Sequence, residues 1–181
     1  FDNVDIKNFI QGKKCMVTGG GGSIGSELVR QIAKYNPKLI VIVDIYENNA
    51  YEIQQELHME YGENINLVTL IASVRDYDRL EKIVDKFRPE IVFHAAAHKH
   101  VPLMEQSACE AIKNNVMGTY NAADMAEKYG VSKFMRVKSK GWICDMSFYW
   151  AHLDLEFEEV REFPIHKDYV NIHTALGIVQ K

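Results

Sequence analysis

Val17-Thr18-Gly19-Gly20-Gly21-Gly22-Ser23-Ile24-Gly25 decides how this chain folds. The short apolar run Cys15-Met16-Val17 leads into it, and Leu28 and Ile32 continue the four-residue spacing that starts at Ile24. A buried strand therefore runs into a glycine turn that opens an amphipathic helix. Gly19 suits the tight turn, Gly22 lets the main chain approach an anion with no Cβ in the way, and Gly25 lets helix and strand pack closely. The free N–H groups at the helix start, from Gly22 through Ser23, Ile24 and Gly25, lie at the positive end of the helix dipole and suit a pyrophosphate.

Outward from this turn the chain alternates apolar runs with helical segments as far as residue 138. The runs are 15–17, 39–43, 67–71, 91–93 and 134–137, and Leu39-Ile40-Val41-Ile42-Val43 is apolar without interruption, as a strand covered on both faces should be. Between them, Leu80, Ile83, Val84 and Phe87 mark one helix, residues 47–61 a second, and residues 105–129 read as one long helix ending before Gly130. Pro37 and Pro89 stand where helices must stop. This pattern predicts an α/β, Rossmann-type, doubly wound parallel sheet of about five or six strands in the order 3-2-1-4-5. Residues 1–140 are read as one nucleotide-binding domain, and 141–181 as a divergent, irregular segment with no separate domain.

Composition narrows the function classes. The 181 residues are 47% hydrophobic and 25% charged, ordinary for a globular domain, and a net charge of −4 gives no reason to expect nucleic acid. The short basic cluster Lys133, Arg136, Lys138, Lys140 reads as a solvated strand end. Cys15, Cys109 and Cys144 form no C-x-x-C pair, which fits a reducing cytoplasm and neither zinc nor disulfides. No run is long enough to span a bilayer, and residues 1–10 lack a signal peptide pattern. The first residue is not Met, so the chain is expected to come from something longer.

Asp44 ends the second strand nineteen positions after Gly25, where a carboxylate can accept hydrogen bonds from both hydroxyls of an adenosine ribose. The residues that follow, Ile45, Tyr46 and Glu47, offer a 2′-phosphate no cation. NAD is therefore expected as the cofactor in preference to NADP.

Thr18, Gly19, Gly22 and Gly25 match the Thr-Gly-x-x-Gly-x-x-Gly pattern of the extended short-chain dehydrogenase/reductase superfamily, which the chain resembles. Gly21-Gly22-Ser23-Ile24-Gly25-Ser26-Glu27-Leu28, Tyr51-Glu52-Ile53-Gln54-Gln55-Glu56-Leu57, His94-Ala95-Ala96-Ala97-His98-Lys99-His100-Val101-Pro102 and Asn114-Asn115-Val116-Met117-Gly118-Thr119 are similar to the capsular polysaccharide type of nucleotide-sugar 4,6-dehydratase. The resemblance covers residues 5–138. It implies a UDP-linked N-acetylhexosamine as substrate, with NAD oxidising the sugar at C4, loss of water across C5 and C6, and return of the hydride at C6. It also implies that Ala95 and Ala96 line the cofactor, that Asn115 lies near the active-site end of the long helix, and that Val74 and Arg75-Asp76 flank the adenine. Ser73 stands where this family usually has Asp. Membrane spans upstream in the parent protein, with this part in the cytoplasm, and a homo-oligomer are further expectations of the resemblance.

The resemblance breaks after the fifth strand. Relatives continue into Ser-Thr-Asp-Lys-Ala, which supplies the acid and base, whereas this chain reads Val137-Lys138-Ser139-Lys140-Gly141. Ser139 stands where the Thr belongs and Lys140 replaces the Asp. No Tyr after residue 140 is followed four residues later by Lys. Ser139 and Lys99 are the catalytic candidates that remain. His94 reads as a satisfied core residue, and His98 and His100 lack partners at metal-ligand spacing, so no metal is expected. Two readings stay open: the cofactor part of a nucleotide-sugar dehydratase or epimerase, catalytically incomplete, or a non-enzymatic NAD-binding module.

Overall fold

A computed structural model describes residues 3–138 and 156–159. Its sheet has the strand order β3-β2-β1-β4-β5-β6. The strands are β1 (Lys14–Thr18), β2 (Leu39–Asp44), β3 (Leu67–Ile71), β4 (Ile91–His94), β5 (Lys133–Lys138) and β6 (Glu156–Glu159). The first five pair in parallel, so the predicted order 3-2-1-4-5 holds. β6 adds an antiparallel edge, with Glu158 opposite Arg136.

Alternation along each strand divides the core in two. Cys15, Val17, Ile40, Ile42, Ile91 and Phe93 point to one face, which is covered by α1 (Asn3–Ile10), α2 (Ser23–Ala33) and α3 (Glu47–Tyr61). Met16, Val41, Val43 and Val92 point to the other, covered by α4 (Tyr77–Phe87) and α7 (Gly118–Lys128). All six residues of β2 are buried, which explains its unbroken apolar run, and each such Val or Ile contributes about 1.5–3 kcal/mol by burial.

The helix boundaries follow from local chemistry. Asp76 caps α4 by accepting a hydrogen bond from the Arg79 N–H at 3.0 Å. Asn36 and Arg88 take left-handed backbone, φ 51 and 47, immediately before Pro37 and Pro89.

One expectation is corrected, and one element is added. The single helix over 105–129 is instead α5 (Val101–Gln106), α6 (Ala108–Ala111), a π-helical turn (Ile112–Met117) and α7. Ser107, at φ −130 and ψ 45, breaks the first junction. The π turn carries two asparagines whose side chains are committed to the site, and it takes them out of regular helical phase. α1 was not foreseen; its Ile6, Phe9 and Ile10 pack on the core at helical spacing. Residues 141–155 and 160–181, and with them Cys144, lie outside the described residues.

Candidate functional site

At the carboxyl ends of β1, β2 and β4 the chain changes direction across the sheet, and a cleft opens there. The glycine turn forms its floor. Gly19 has φ 71 and donates its N–H to Val43 O at 2.7 Å. A Cβ on Gly19 would lie 2.7 Å from Ala96 Cα, so the turn is pressed against the loop after β4. Gly22, at the N-terminus of α2, has φ −69 and ψ 166. A Cβ there would meet only Gly19 O, at 3.3 Å, and would otherwise fill the cleft. Gly25 is different, since its Cβ would fall 1.9 Å from Gly19 O.

Asp44 is 6% exposed and lines the cleft. Its Oδ2 accepts the Gly21 N–H at 2.8 Å and its Oδ1 accepts the Tyr46 N–H at 2.9 Å. Each oxygen keeps a lone pair for a further donor. The carboxylate thus fastens the glycine turn as well as facing the ligand space, a structural role that the sequence did not suggest.

One wall of the cleft consists of Ile45, Tyr46, Ala72, Ser73 and Val74, the other of Ala95, Ala96, Ala97, His98 and Asn114. Gly19, Gly22, Asp44, Val74, Ala95 and Ala96 therefore come together as the sequence suggested. Ser23, Ile24 and Gly25 form the first turn of α2 beside the floor. Arg75 does not line the cleft, because its guanidinium sits on Glu110 Oε2 at 2.7 Å. Asn115 does not line it either. It is 7% exposed, and its amide grips the His98 main chain, accepting from N–H at 2.8 Å and donating to C=O at 2.9 Å. Its neighbour Asn114 reaches the cleft instead.

Lys99 Nζ donates to Ser23 Oγ at 2.9 Å, which ties the loop after β4 to the first turn of α2. Partial burial pushes its pKa below the usual lysine value. His94 is 3% exposed and bridges Thr18 Oγ1 at Nδ1, 2.7 Å, and Thr119 Oγ1 at Nε2, 2.9 Å. Burial, with the charge of Arg136 adding, lowers its pKa to about 4. It is a satisfied core residue, as read from its place at a strand end. No group of three metal-ligating side chains occurs among the described residues, and Ser139 and Lys140 lie outside them. Asn114, His98 and Tyr46 were missed by sequence reasoning; the signal for each was only adjacency to Asn115, Ala97 and Asp44.

Glycine turn, helix start and carboxylate now occupy one cleft, and the pattern of the polysaccharide biosynthesis protein family matches residues 15–141. The chain belongs to that family. This family member is also similar to individual proteins. It is 46% identical over 134 residues to the capsular polysaccharide biosynthesis protein CapD of Staphylococcus aureus, covering 74% of this chain and 22% of CapD. It is 33% identical over 126 residues to a UDP-N-acetylglucosamine 4,6-dehydratase (inverting) of Campylobacter jejuni, covering 67% of this chain and 34% of that protein. The chain thus spans about a quarter to a third of these relatives. Among solved structures, Pen from Bacillus thuringiensis superposes with TM-score 0.64 at 30% identity, over 71% of this chain and 37% of Pen. WbmG from Bordetella bronchiseptica, in complex with NAD, gives 0.57 at 27% identity, over 68% of this chain and 36% of WbmG. No helix among the described residues is long and apolar enough to cross a membrane.

Proposed function

We propose that the chain is the NAD-binding part of a nucleotide-sugar 4,6-dehydratase or epimerase that acts on a UDP-N-acetylhexosamine in polysaccharide biosynthesis. The observation that carries this reading is the convergence of Gly22, the α2 N-terminus and Asp44 on one cleft at the topological switch point. The residues fit the cofactor. Gly22 leaves open the space that a pyrophosphate needs, and Asp44 keeps acceptor capacity for ribose hydroxyls after anchoring Gly21 and Tyr46. When bound, NAD supplies the hydride acceptor for the sugar C4 position and returns the hydride later in the turnover.

The protein groups bind and orient. The α2 N-terminus holds the pyrophosphate, with Lys99 beside it through Ser23; Ile45 and Val74 flank the base; Ala95 and Ala96 give the nicotinamide half an unobstructed wall. A 2′-phosphate would stand against Asp44 with no Lys or Arg among the described residues that line the cleft, since Arg75 is held by Glu110. NAD is thereby favoured over NADP.

Several finer assignments belong to the same proposal. Residues 1–140 act as one NAD-binding unit, and no separate domain is assigned to 141–181. The unit works in the cytoplasm, in a parent that other segments tether to a membrane. Leu103, Ile112, Met117 and Tyr120, exposed on α5, the π turn and α7, offer an apolar face to a second copy. A non-enzymatic NAD-binding module is the second reading, favoured by Lys140 at the position where the resemblance places an acidic group. Calorimetry with NAD, NADP and UDP-N-acetylhexosamines tests the assignment. NAD binding well above NADP supports it, and equal or absent binding removes it. A longer reading frame supplying Thr-Asp-Lys and a sugar-binding domain separates the enzyme from the module.

A further inference from the structure

The contacts around His94 form a chain in which one arrangement of protons satisfies every member. Thr119 gives its only hydroxyl proton to Asn115 O at 2.7 Å, so its oxygen accepts from His94 Nε2. The imidazole proton is therefore on Nε2, and Nδ1 accepts the Thr18 hydroxyl. The ring stacks on Phe134, with centroids 5.9 Å apart, and Arg136 is its register partner on β5, a positive charge that opposes a second proton. Thr18, His94, Thr119 and the Asn115 carbonyl are thus all satisfied when the imidazole is neutral.

This chain connects the two parts of the site. It starts at Thr18, the last residue before Gly19, and ends at Asn115, whose amide holds His98 by both main-chain groups. Gly19 already lies so close to Ala96 that a Cβ would not fit. A small shift of that wall is consequently felt at the pyrophosphate floor.

We propose that His94, as the neutral Nε2–H tautomer, is a positioning residue for the dinucleotide: it fixes the spacing between the glycine turn and the wall of Ala95, Ala96, Ala97 and His98. The proposal rests on the reading of this cleft as a dinucleotide site. It makes a distinction that general destabilisation would not. AMP engages the Asp44 side, where Ile45 and Val74 stand, whereas NAD must lie against both walls.

Calorimetry of the 181-residue chain with NAD and with AMP tests it. Thr119→Val keeps the side-chain shape and deletes the acceptor of the Nε2 proton; Thr18→Val deletes the donor to Nδ1. Each is expected to weaken NAD by about tenfold and AMP by less than about twofold, with Thr119→Ser restoring NAD affinity. Circular dichroism confirms folding, and nitrogen NMR of His94 is expected to show the Nε2–H tautomer in the wild type. A folded Thr119→Val that binds NAD like the wild type overturns the proposal. So does a parallel loss of NAD and AMP, or an Nδ1–H tautomer. A wild-type chain that fails to bind NAD at all overturns it together with the functional reading beneath it.

Discussion

Gly22 and Gly25 sit three residues apart in one motif, yet a side chain added at each meets different surroundings. At Gly22 it enters the cleft, and at Gly25 it strikes the Gly19 carbonyl. Gly22→Val is therefore expected to abolish NAD binding while thermal unfolding stays near the wild type, as calorimetry and melting would show together. Gly25→Ala is expected to destabilise the fold itself. His94 gives the pH counterpart. Its pKa is about 4 in the folded chain against an ordinary 6.5, so the unfolded chain binds more protons between those values. Stability that His94 confers is complete above 6.5 and is lost as pH falls toward 4, by up to about 3 kcal/mol. Denaturant titration of the wild type against His94→Asn at pH 7 and 4.5 isolates this loss from that of the carboxylates, and an equal pH dependence in both would show that His94 does not carry it.

At the level of elements, Gly118 at the start of α7 shows how helix packing reaches the site. A Cβ there would lie 2.6 Å from Val74 Cγ2, and Val74 lines the cleft. Gly118→Ala gains helix propensity of about 1 kcal/mol but overpacks this contact at a cost of about 1–3 kcal/mol. A net destabilisation in denaturant is expected, with Val74→Ala relieving it in the double variant. Simple additivity of the two substitutions would exclude the clash as its source. The inner strands β1, β2 and β4 were readable in the sequence because they are buried on both faces and nothing polar interrupts 39–43 of β2. The phosphate cradle and Asp44 were readable because each is a local feature at a strand end. The segmentation of 101–128 was not, since the π turn arises from what Asn114 and Asn115 meet in space. Nor was the Lys99 to Ser23 contact, which joins residues 76 positions apart.

For the molecule as a whole, binding and turnover are expected to come apart. The cleft proposed for the dinucleotide is lined by described residues, whereas Ser139 and Lys140, at the positions where the resemblance places the acid and base, lie outside them. The chain alone is expected to bind NAD and to give no 4-keto-6-deoxy product from a UDP-N-acetylhexosamine, because the loss of one positioned acid or base group alone costs about 10²–10⁴-fold in rate. Mass-spectrometric detection of that product, dependent on NAD and lost on changing Ser139 or Lys99, would assign the catalytic groups to this chain instead.

Cys15 lies fully buried in β1, in register with Ile40 on one side and Ile91 on the other. Burial, with Glu90 adding, pushes its thiol up to about 12, whereas Cys109 is exposed. The pair amounts to a built-in stopwatch. An alkylating reagent should mark Cys109 at once and reach Cys15 only in molecules whose sheet has opened, so peptide mass spectrometry of Cys15 reads out the rare open population. A cofactor that binds only the closed form should slow this marking in proportion to its concentration over Kd. The affinity of the cleft could then be weighed without any assay of chemistry, and a marking rate indifferent to saturating NAD would show that the dinucleotide does not hold the closed sheet.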